Sequence, residues 1–179
     1  MNFCSQCGAG VSVRVPDGDT LPRHVCDGCG QIHYSNPKLV VGCIAEWEEK
    51  ILLCRRAIEP RHGLWTIPAG FMENRETTEQ AAARETMEEA LAQVTDLVPY
   101  GLYDLPQISQ VYLVYRARMA SSDHGPGHES LESDLVDPAD IPWDDLAFPV
   151  IEETLRRYIK DRESGQFPLH TGVLVRRLG

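Results

Sequence analysis

The sequence lacks any apolar run long enough to cross a bilayer, so a helical membrane protein is not expected. Its first ten residues, MNFCSQCGAG, contain no basic segment followed by an apolar core and predict no signal peptide. We therefore expect a cytoplasmic protein without a membrane partner. Positive charge is also scarce, because 27 acidic residues outnumber 17 basic ones and the formal net charge is -10. Nucleic acids attract a positive field, so this balance predicts no general nucleic-acid binding.

The 179 residues allow one well-packed domain with a small appendage. Residues 1–36 contain little apolar sequence and cannot build a core alone, so we place a domain boundary between residues 36 and 37. After it, the runs LVVGCIAEW, KILLCRRA, LWTI and VYLVYRARM predict strands, as does the tail FPLHTGVLVRRLG. The polar stretch SSDHGPGHESLES predicts a loop.

Two segments predict helices. The first, EQAAARETMEEALA, consists of strong helix formers. Thr77 or Thr78 can cap it, and Gln80 stands three residues after Thr77, as in a capping box. The second lies in WDDLAFPVIEETLRRYIKDRESG and places apolar positions on one side: Val150, Ile151, Thr154, Leu155, Tyr158 and Ile159. Strands mixed with two helices predict an α+β fold with a mixed sheet between helices.

Four of the six cysteines form two Cys-x-x-Cys pairs separated by 18 residues: Cys4, Cys7, Cys26 and Cys29. This spacing is typical of a four-cysteine zinc site. Four thiolates complete a tetrahedral shell and leave no open position, so the predicted zinc is structural. Two disulfides or a redox pair are the alternative, which the absence of a secretion signal disfavours.

The other two cysteines and the two histidines near the cysteine pairs have simpler interpretations. Cys43 and Cys54 lie in apolar runs and are predicted to be buried free thiols. His24 and His33 lie near the cysteine pairs, and we expect them to be surface or packing histidines once four sulfur atoms bind the metal.

Carboxylates are concentrated near the end of the first predicted helix. Glu85, Glu88 and Glu89 are three or four residues apart, so they share a face and repel one another unless a cation intervenes. Oxygen ligands of this kind suit magnesium or manganese. Arg84 can orient one carboxylate, and Glu76 can join from the preceding loop. The alternative is a solvated acidic face, although no lysine compensates the triplet at four-residue spacing.

The longer pattern Gly70-x5-Glu76-x7-Arg84-Glu85-x-x-Glu88-Glu89, with LWTIPAG upstream, resembles the Nudix hydrolase family over residues 37 to 160. The resemblance implies an α/β/α sandwich in which the glutamates hold divalent cations that activate water against a diphosphate. The chain departs from the family pattern at Leu91, where a glycine usually caps the helix, and at Arg75, where glycine is common. Thr86 and Ala92 replace aliphatic residues. No metal-binding carboxylate is lost, so we expect activity.

Over nearly its whole length the chain resembles zinc-ribbon Nudix enzymes of the plant type that act on FAD and ADP-ribose. NADH pyrophosphatases share the layout but carry SQPWPFPxS after the motif, where this chain has DLPQISQVYLVYRARM. The resemblance implies hydrolysis of FAD to FMN and AMP, with ADP-ribose as second choice. The alternatives are an NADH or ADP-ribose pyrophosphatase, or a nucleotide sensor without catalysis. A nucleic-acid contact through the ribbon is disfavoured because its basic residues are few: Arg14, Arg23 and Lys38.

The expected catalytic group is Arg84 with the three helix glutamates, and it acts on a small nucleotide substrate. Candidates for the general base are Glu89 and the loop residues Glu129 and Glu132, although loop acids are more often merely solvated. Arg55 and Arg56 follow a strand and can steady phosphate, and a surface role is the alternative for both. Three aromatic side chains can stack on adenine or flavin, although each is as readily explained as core: Phe71, Tyr103 and Tyr112. By resemblance, we also expect a homodimer.

Overall fold

The computed structural model describes residues 1–175, and the last four residues of the predicted terminal strand lie outside this range. The chain divides into two compact units, Met1–Pro37 and Lys38–Gly179, called the ribbon unit and the sandwich unit below. Within the described residues, no helix combines the length and apolarity needed to cross a membrane.

The ribbon unit contains a small antiparallel sheet. Its strands are β1 (Val11–Arg14), β2 (Arg23–Cys26) and β3 (Ile32–His33), in the order β1-β2-β3. Asp19 closes the turn before β2, because its carboxylate accepts hydrogen bonds from two backbone amides and from the Arg23 guanidinium. The Arg23 hydrogen bond and those amides hold the pKa of Asp19 down to about 2. These short strands contribute little apolar burial, so the unit depends on its cysteines.

The sandwich unit is built on one mixed sheet of eight strands. The strands are β4 (Lys38–Trp47), β5 (Lys50–Arg56), β6 (Trp65–Thr66), β7 (Ala69–Phe71), β8 (Val94–Leu105), β9 (Gln110–Met119), β10 (Ser130–Val136) and β11 (His170–Val173). The main order is β10-β5-β4-β9-β8-β11, while β6 pairs with β5 and β7 pairs with β4. The pairs β4–β9 and β8–β11 are parallel.

Each face of the sheet packs against one helix. Successive side chains of a strand point to opposite faces, so Ile44 joins the apolar cluster that contains α2 (Pro149–Ser164). Its neighbour Cys43 joins the cluster beneath α1 (Thr78–Ala90), where Cys54 is also buried. The predicted α/β/α sandwich and the two buried free thiols are therefore confirmed.

Two strands differ from the sequence-based expectation. The 12-residue strand β8 was not predicted, because register shifts near Val98 and Pro99 interrupt its alternation of polar and apolar residues. Strand β10 begins at Ser130, inside the stretch predicted as a loop, and its edge position explains its polar sequence. The helix α2 buries its predicted face, with Ile159 partly buried at the margin.

Candidate active site

Helix α1 begins and ends as its local sequence dictates. The Gln80 amide donates to Thr77 Oγ1 at 3.2 Å and the Thr77 amide donates to Gln80 Oε1 at 2.8 Å, so the predicted capping box is present. Leu91 follows the helix in the left-handed conformation, with φ 50° and ψ 27°. Arg75 is also left-handed, with φ 73°. Both residues therefore adopt the backbone that favours glycine, at positions where the family pattern has glycine.

The Arg84 guanidinium organises the acidic residues around it. It donates to both carboxylate oxygens of Glu76, at 3.0 and 2.8 Å, and to Glu85 at 2.8 Å and Glu88 at 2.9 Å. It also donates to the Phe71 carbonyl at 3.2 Å. The Arg84 hydrogen bonds lower the pKa of Glu76 to about 2. This fork of donors holds the loop before α1 against the helix.

Glu85 and Glu89 are buried, although both carry ionisable groups. Burial raises the pKa of Glu85. Burial and the nearby Glu85 carboxylate raise the pKa of Glu89 to about 8. The Ala69 amide, which donates to Glu89 at 3.0 Å, partly opposes this rise. Gly70 lets the Glu85 carboxylate lie close to β7, because a Cβ at residue 70 would be 2.3 Å from a Glu85 oxygen. Such closely placed, poorly solvated carboxylates favour a positive ion between them.

Two loop glycines bind the C-terminal turn of α1, and we call residues 125–127 the glycine clip. The Gly125 amide donates to the Ala90 carbonyl at 2.8 Å, and the Gly127 amide donates to the Glu89 carbonyl at 3.0 Å. A Cβ on Gly127 would lie 1.6 Å from the Glu88 carbonyl oxygen, so only glycine fits. The clip satisfies helix-end carbonyls and places Glu129 near α1.

A cleft of about 1350 Å³ lies over these residues. The predicted site residues that line it are Arg84, Glu85, Glu88, Glu89, Arg56, Phe71, Glu129 and Tyr112. Arg56 is buried, donates to the Pro60 carbonyl at 3.0 Å, and forms no ion pair within residues 1–175. The Glu129 carboxylate is exposed but near enough to raise the pKa of Glu89 further, after burial and Glu85.

Three of the predicted residues are not brought to the cleft. Arg55 and Glu132 form an exposed ion pair with each other at 2.9 Å. Tyr103 is fully buried in the core beside α2. Sequence reasoning also missed lining residues from the tail, Leu174 and Val175, for which no local motif gives a signal.

The four cysteines of the ribbon unit lie together. Their four sulfur atoms are all within 4.8 Å of one another, and adjacent ones are 3.8 Å (Cys4–Cys29) and 3.4 Å (Cys7–Cys26) apart. Zinc–sulfur bonds of about 2.3 Å in a tetrahedron require sulfur separations of about 3.8 Å. Backbone amides point at two of the sulfurs at 3.3 to 3.4 Å. The residues thus fit a four-thiolate zinc site.

His33 contacts this cluster more closely than expected. Its Nε2 lies 3.3 Å from Cys4 Sγ, so it is partner to a sulfur atom rather than only a packing residue. A ring N–H that donates to a thiolate stabilises the charged sulfur, as residues that hydrogen-bond to the ligands of a metal site generally do.

The cleft offers a different donor set. Within residues 1–175, the cysteine cluster is the one group of three or more potential ligand atoms within 4.8 Å of one another. The α1 carboxylates are instead spread along the helix face and held by Arg84 and Ala69. They are oxygen donors only, a set that suits hard cations such as magnesium or manganese.

An α/β/α sandwich with a carboxylate helix at its cleft, next in sequence to a four-cysteine unit, defines the class as a Nudix-fold domain with a zinc ribbon. The sequence matches the NUDIX domain family over residues 36–160 and the zinc-ribbon family described as Nudix N-terminal over residues 2–35. A crystal structure of a NUDIX hydrolase from Nitrosomonas europaea is 55% identical, with a TM-score of 0.95, and the match covers 98% of this chain and 100% of that one. The chain belongs to the Nudix hydrolase family.

Curated relatives are more distant. The NAD-capped RNA hydrolase NudC of Photobacterium profundum is 31% identical over 86% of this chain and 58% of its own length. The ADP-ribose pyrophosphatase of Methanocaldococcus jannaschii is 29% identical over 71% of this chain and 76% of its own length. The chain thus spans less than two thirds of that NudC relative.

Proposed function

We propose that this Nudix hydrolase cleaves the diphosphate of nucleotide conjugates, with FAD, split into FMN and AMP, as its first substrate and ADP-ribose as its second. The observation that carries the proposal is that one cleft brings together the α1 carboxylates, the buried Arg56 and the exposed Glu129. A negatively charged diphosphate can enter this acidic site only together with cations. The glutamates provide oxygen ligands for such cations.

Each residue has a role in this proposal. Glu85, Glu88 and Glu89 would hold magnesium or manganese, which when bound neutralises phosphate charge and lowers the pKa of water. Arg84 positions Glu85 and Glu88 through its hydrogen bonds. Arg56 contacts the diphosphate, because it lines the cleft beside Glu89 and forms no ion pair within residues 1–175. Glu129 accepts a proton from the attacking water, and Phe71 and Tyr112 contact the nucleotide rings.

The structure leads us to leave Arg55 and Glu132 out of the proposed machinery. Their ion pair lies on exposed positions of β5 and β10 and not along the cleft. Glu129, just before β10, and Glu132, within β10, thus offer a matched comparison. Glu129→Gln is expected to lower kcat about 100-fold, as loss of a general base does, whereas Glu132→Gln is expected to leave kcat within twofold of wild type.

Product analysis tests the substrate. The protein is incubated with FAD, ADP-ribose, NADH or NAD-capped RNA, with and without magnesium, and the products are separated by chromatography. FMN and AMP should form only with magnesium, and Glu89→Gln should form neither. Cleavage of NADH or capped RNA with FAD intact would replace the substrate and revise the expectation that no nucleic acid is involved. Tight binding without cleavage of any compound would indicate a sensor.

The organisation of the protein is part of the proposal. We assign residues 1–36 to a structural zinc ribbon and residues 37–179 to the hydrolase domain, and we expect a homodimer. Metal analysis should find one zinc per chain after dialysis against magnesium-free buffer. Light scattering should give twice the mass of the 20.0 kDa chain. A mass of one chain would contradict the dimer without affecting the catalytic assignment.

A further inference from the structure

The segment after residue 160 lies outside the NUDIX domain match, yet its end reaches the proposed active-site cleft. Strand β11 pairs in parallel with β8, from His170 opposite Gly101 to Val173 opposite Asp104. The Leu174 amide then donates to the Asp104 carbonyl at 2.9 Å. These hydrogen bonds extend the sheet by one strand and direct the chain toward the cleft.

Side chains fix the path of this segment. Arg157 Nη1 lies 3.2 Å from His170 Nδ1, and because a guanidinium can only donate, Nδ1 accepts this hydrogen bond. The other ring nitrogen of His170, Nε2, then donates to Asp161 at 2.6 Å. The Tyr100 hydroxyl also donates to Asp161, at 2.7 Å. At the far end of β11, Gln107 Nε2 donates to the Leu174 carbonyl at 3.0 Å. The strand is therefore anchored at both ends.

The anchored end forms an apolar wall, which consists of Leu105, Ile108, Leu174 and Val175. Ile108 is 53% exposed and Val175 is 69% exposed, although both line a cleft. The side of the same cleft next to β5 and β10 contains charged residues, including Arg56, Arg61 and Glu129, together with apolar ones such as Ile58 and Phe148. Exposed apolar side chains in a continuous cleft indicate a surface that a ligand covers.

The strand order places this apolar wall away from the site of hydrolysis. Glu89 is held by Ala69 of β7, which pairs with β4. From β4 the order passes β9 and β8 to β11, so Leu174 and Val175, which follow β11, belong to a strand three spacings, or about 14 Å, from β4, while Leu105 at the end of β8 is two spacings away. A group at the wall is therefore a distal part of a substrate whose diphosphate lies over α1.

We propose that the apolar wall is a specificity subsite for the ring of the second half of the substrate, the part that FAD has and ADP-ribose lacks. This inference rests on the proposed hydrolysis of nucleotide diphosphates. A flat ring system with an apolar dimethylbenzene end is stabilised by covering Ile108 and Val175, whereas the side of the cleft with Arg56, Arg61 and His128 provides hydrogen-bonding groups for the adenine that both substrates share. The terminal strand thereby favours ring-bearing conjugates over a bare sugar.

The test compares two exposed valines of the same segment. Val175 lines the cleft, whereas Val173 is 60% exposed and does not line it. We expect Val175→Asp to lower kcat/KM for FAD at least tenfold, mainly through KM, and to change kcat/KM for ADP-ribose less than threefold. Val173→Asp should leave both values unchanged. Ile108→Asp, on the neighbouring turn, should repeat the selective loss.

Inhibition by the products gives a second readout, because FMN carries the ring and AMP carries the shared half. Val175→Asp should weaken inhibition by FMN and leave inhibition by AMP unchanged. Equal losses for FAD and ADP-ribose, or no loss with either, would overturn the inference. A wild-type protein that cleaves neither compound would instead overturn the proposed function, so the two failures are distinct.

Discussion

Replacing Glu89 by glutamine is expected to stabilise the sandwich unit at alkaline pH while removing hydrolysis. Burial raises the pKa of Glu89 from its usual 4.5 to about 8. An unfolded chain releases this proton near pH 4.5 and the folded chain near pH 8, so stability is lost as the pH rises between the two values. A difference of one pKa unit corresponds to about 1.4 kcal/mol, and the loss between pH 5 and pH 8.5 is on the order of 3 kcal/mol.

Glutamine keeps the acceptor for the Ala69 amide but carries no charge to desolvate. Thermal unfolding is measured from pH 5 to 8.5 in buffer without magnesium or manganese. The Tm of Glu89→Gln should exceed that of wild type by an amount that grows with pH and reaches about 6 to 12 °C at pH 8.5. Magnesium should then raise the Tm of wild type at pH 8.5 and have little effect on the variant.

Glu88→Gln is the matched control, because Glu88 lies beside Glu89 on α1 but its side chain is 58% exposed and forms an ion pair with Arg84. Its Tm difference from wild type should not grow with pH. If Glu89→Gln followed the wild-type Tm over the whole pH range, ionisation of Glu89 would not oppose folding, and the argument from burial would fail.

Three further predictions concern other parts of the chain. Arg84→Lys should lower kcat about 10- to 100-fold with little change in KM, since one ammonium cannot replace the forked donors to Glu76, Glu85 and Glu88; an unchanged kcat would show that this network is dispensable. Leu91→Gly should raise Tm by about 2 to 4 °C, because glycine adopts the left-handed backbone about 1 kcal/mol more easily; a lower Tm would mean that Leu91 packing outweighs backbone strain. Cys29→Ser should reduce bound zinc in metal analysis, and retention of one zinc per chain would exclude a four-thiolate site.

The helix of the site could be predicted because its determinants are local. The capping box at Thr77 and the three- and four-residue spacing of the glutamates depend only on helix geometry, and the structure contains both. The left-handed Leu91 shows that the backbone of the motif is kept even where its usual glycine is replaced. The four cysteines were also predictable, since their spacing reflects the ligand geometry of one metal.

The substrate-binding residues were harder to predict, because they depend on which face of a strand points to the cleft. Arg55 and Arg56 are adjacent in β5, so they point to opposite faces, and the sequence alone does not say which is which. Arg56 lines the cleft and Arg55 is paired with Glu132 outside it. The contribution of Val175 was equally hidden, because it follows from the pairing of β11 with β8, a long-range contact.

The glycine clip limits how this enzyme can diversify. Its two amides must stay in register with the last carbonyls of α1, and Gly127 tolerates no side chain, so residues cannot be inserted or deleted there without moving Glu129 relative to Glu89. Within residues 1–175, no hydrogen bond joins the terminal strand to α1. An engineer who wished to change the accepted conjugate would therefore redesign residues 174 and 175 and leave the loop at 125–127 at its native length.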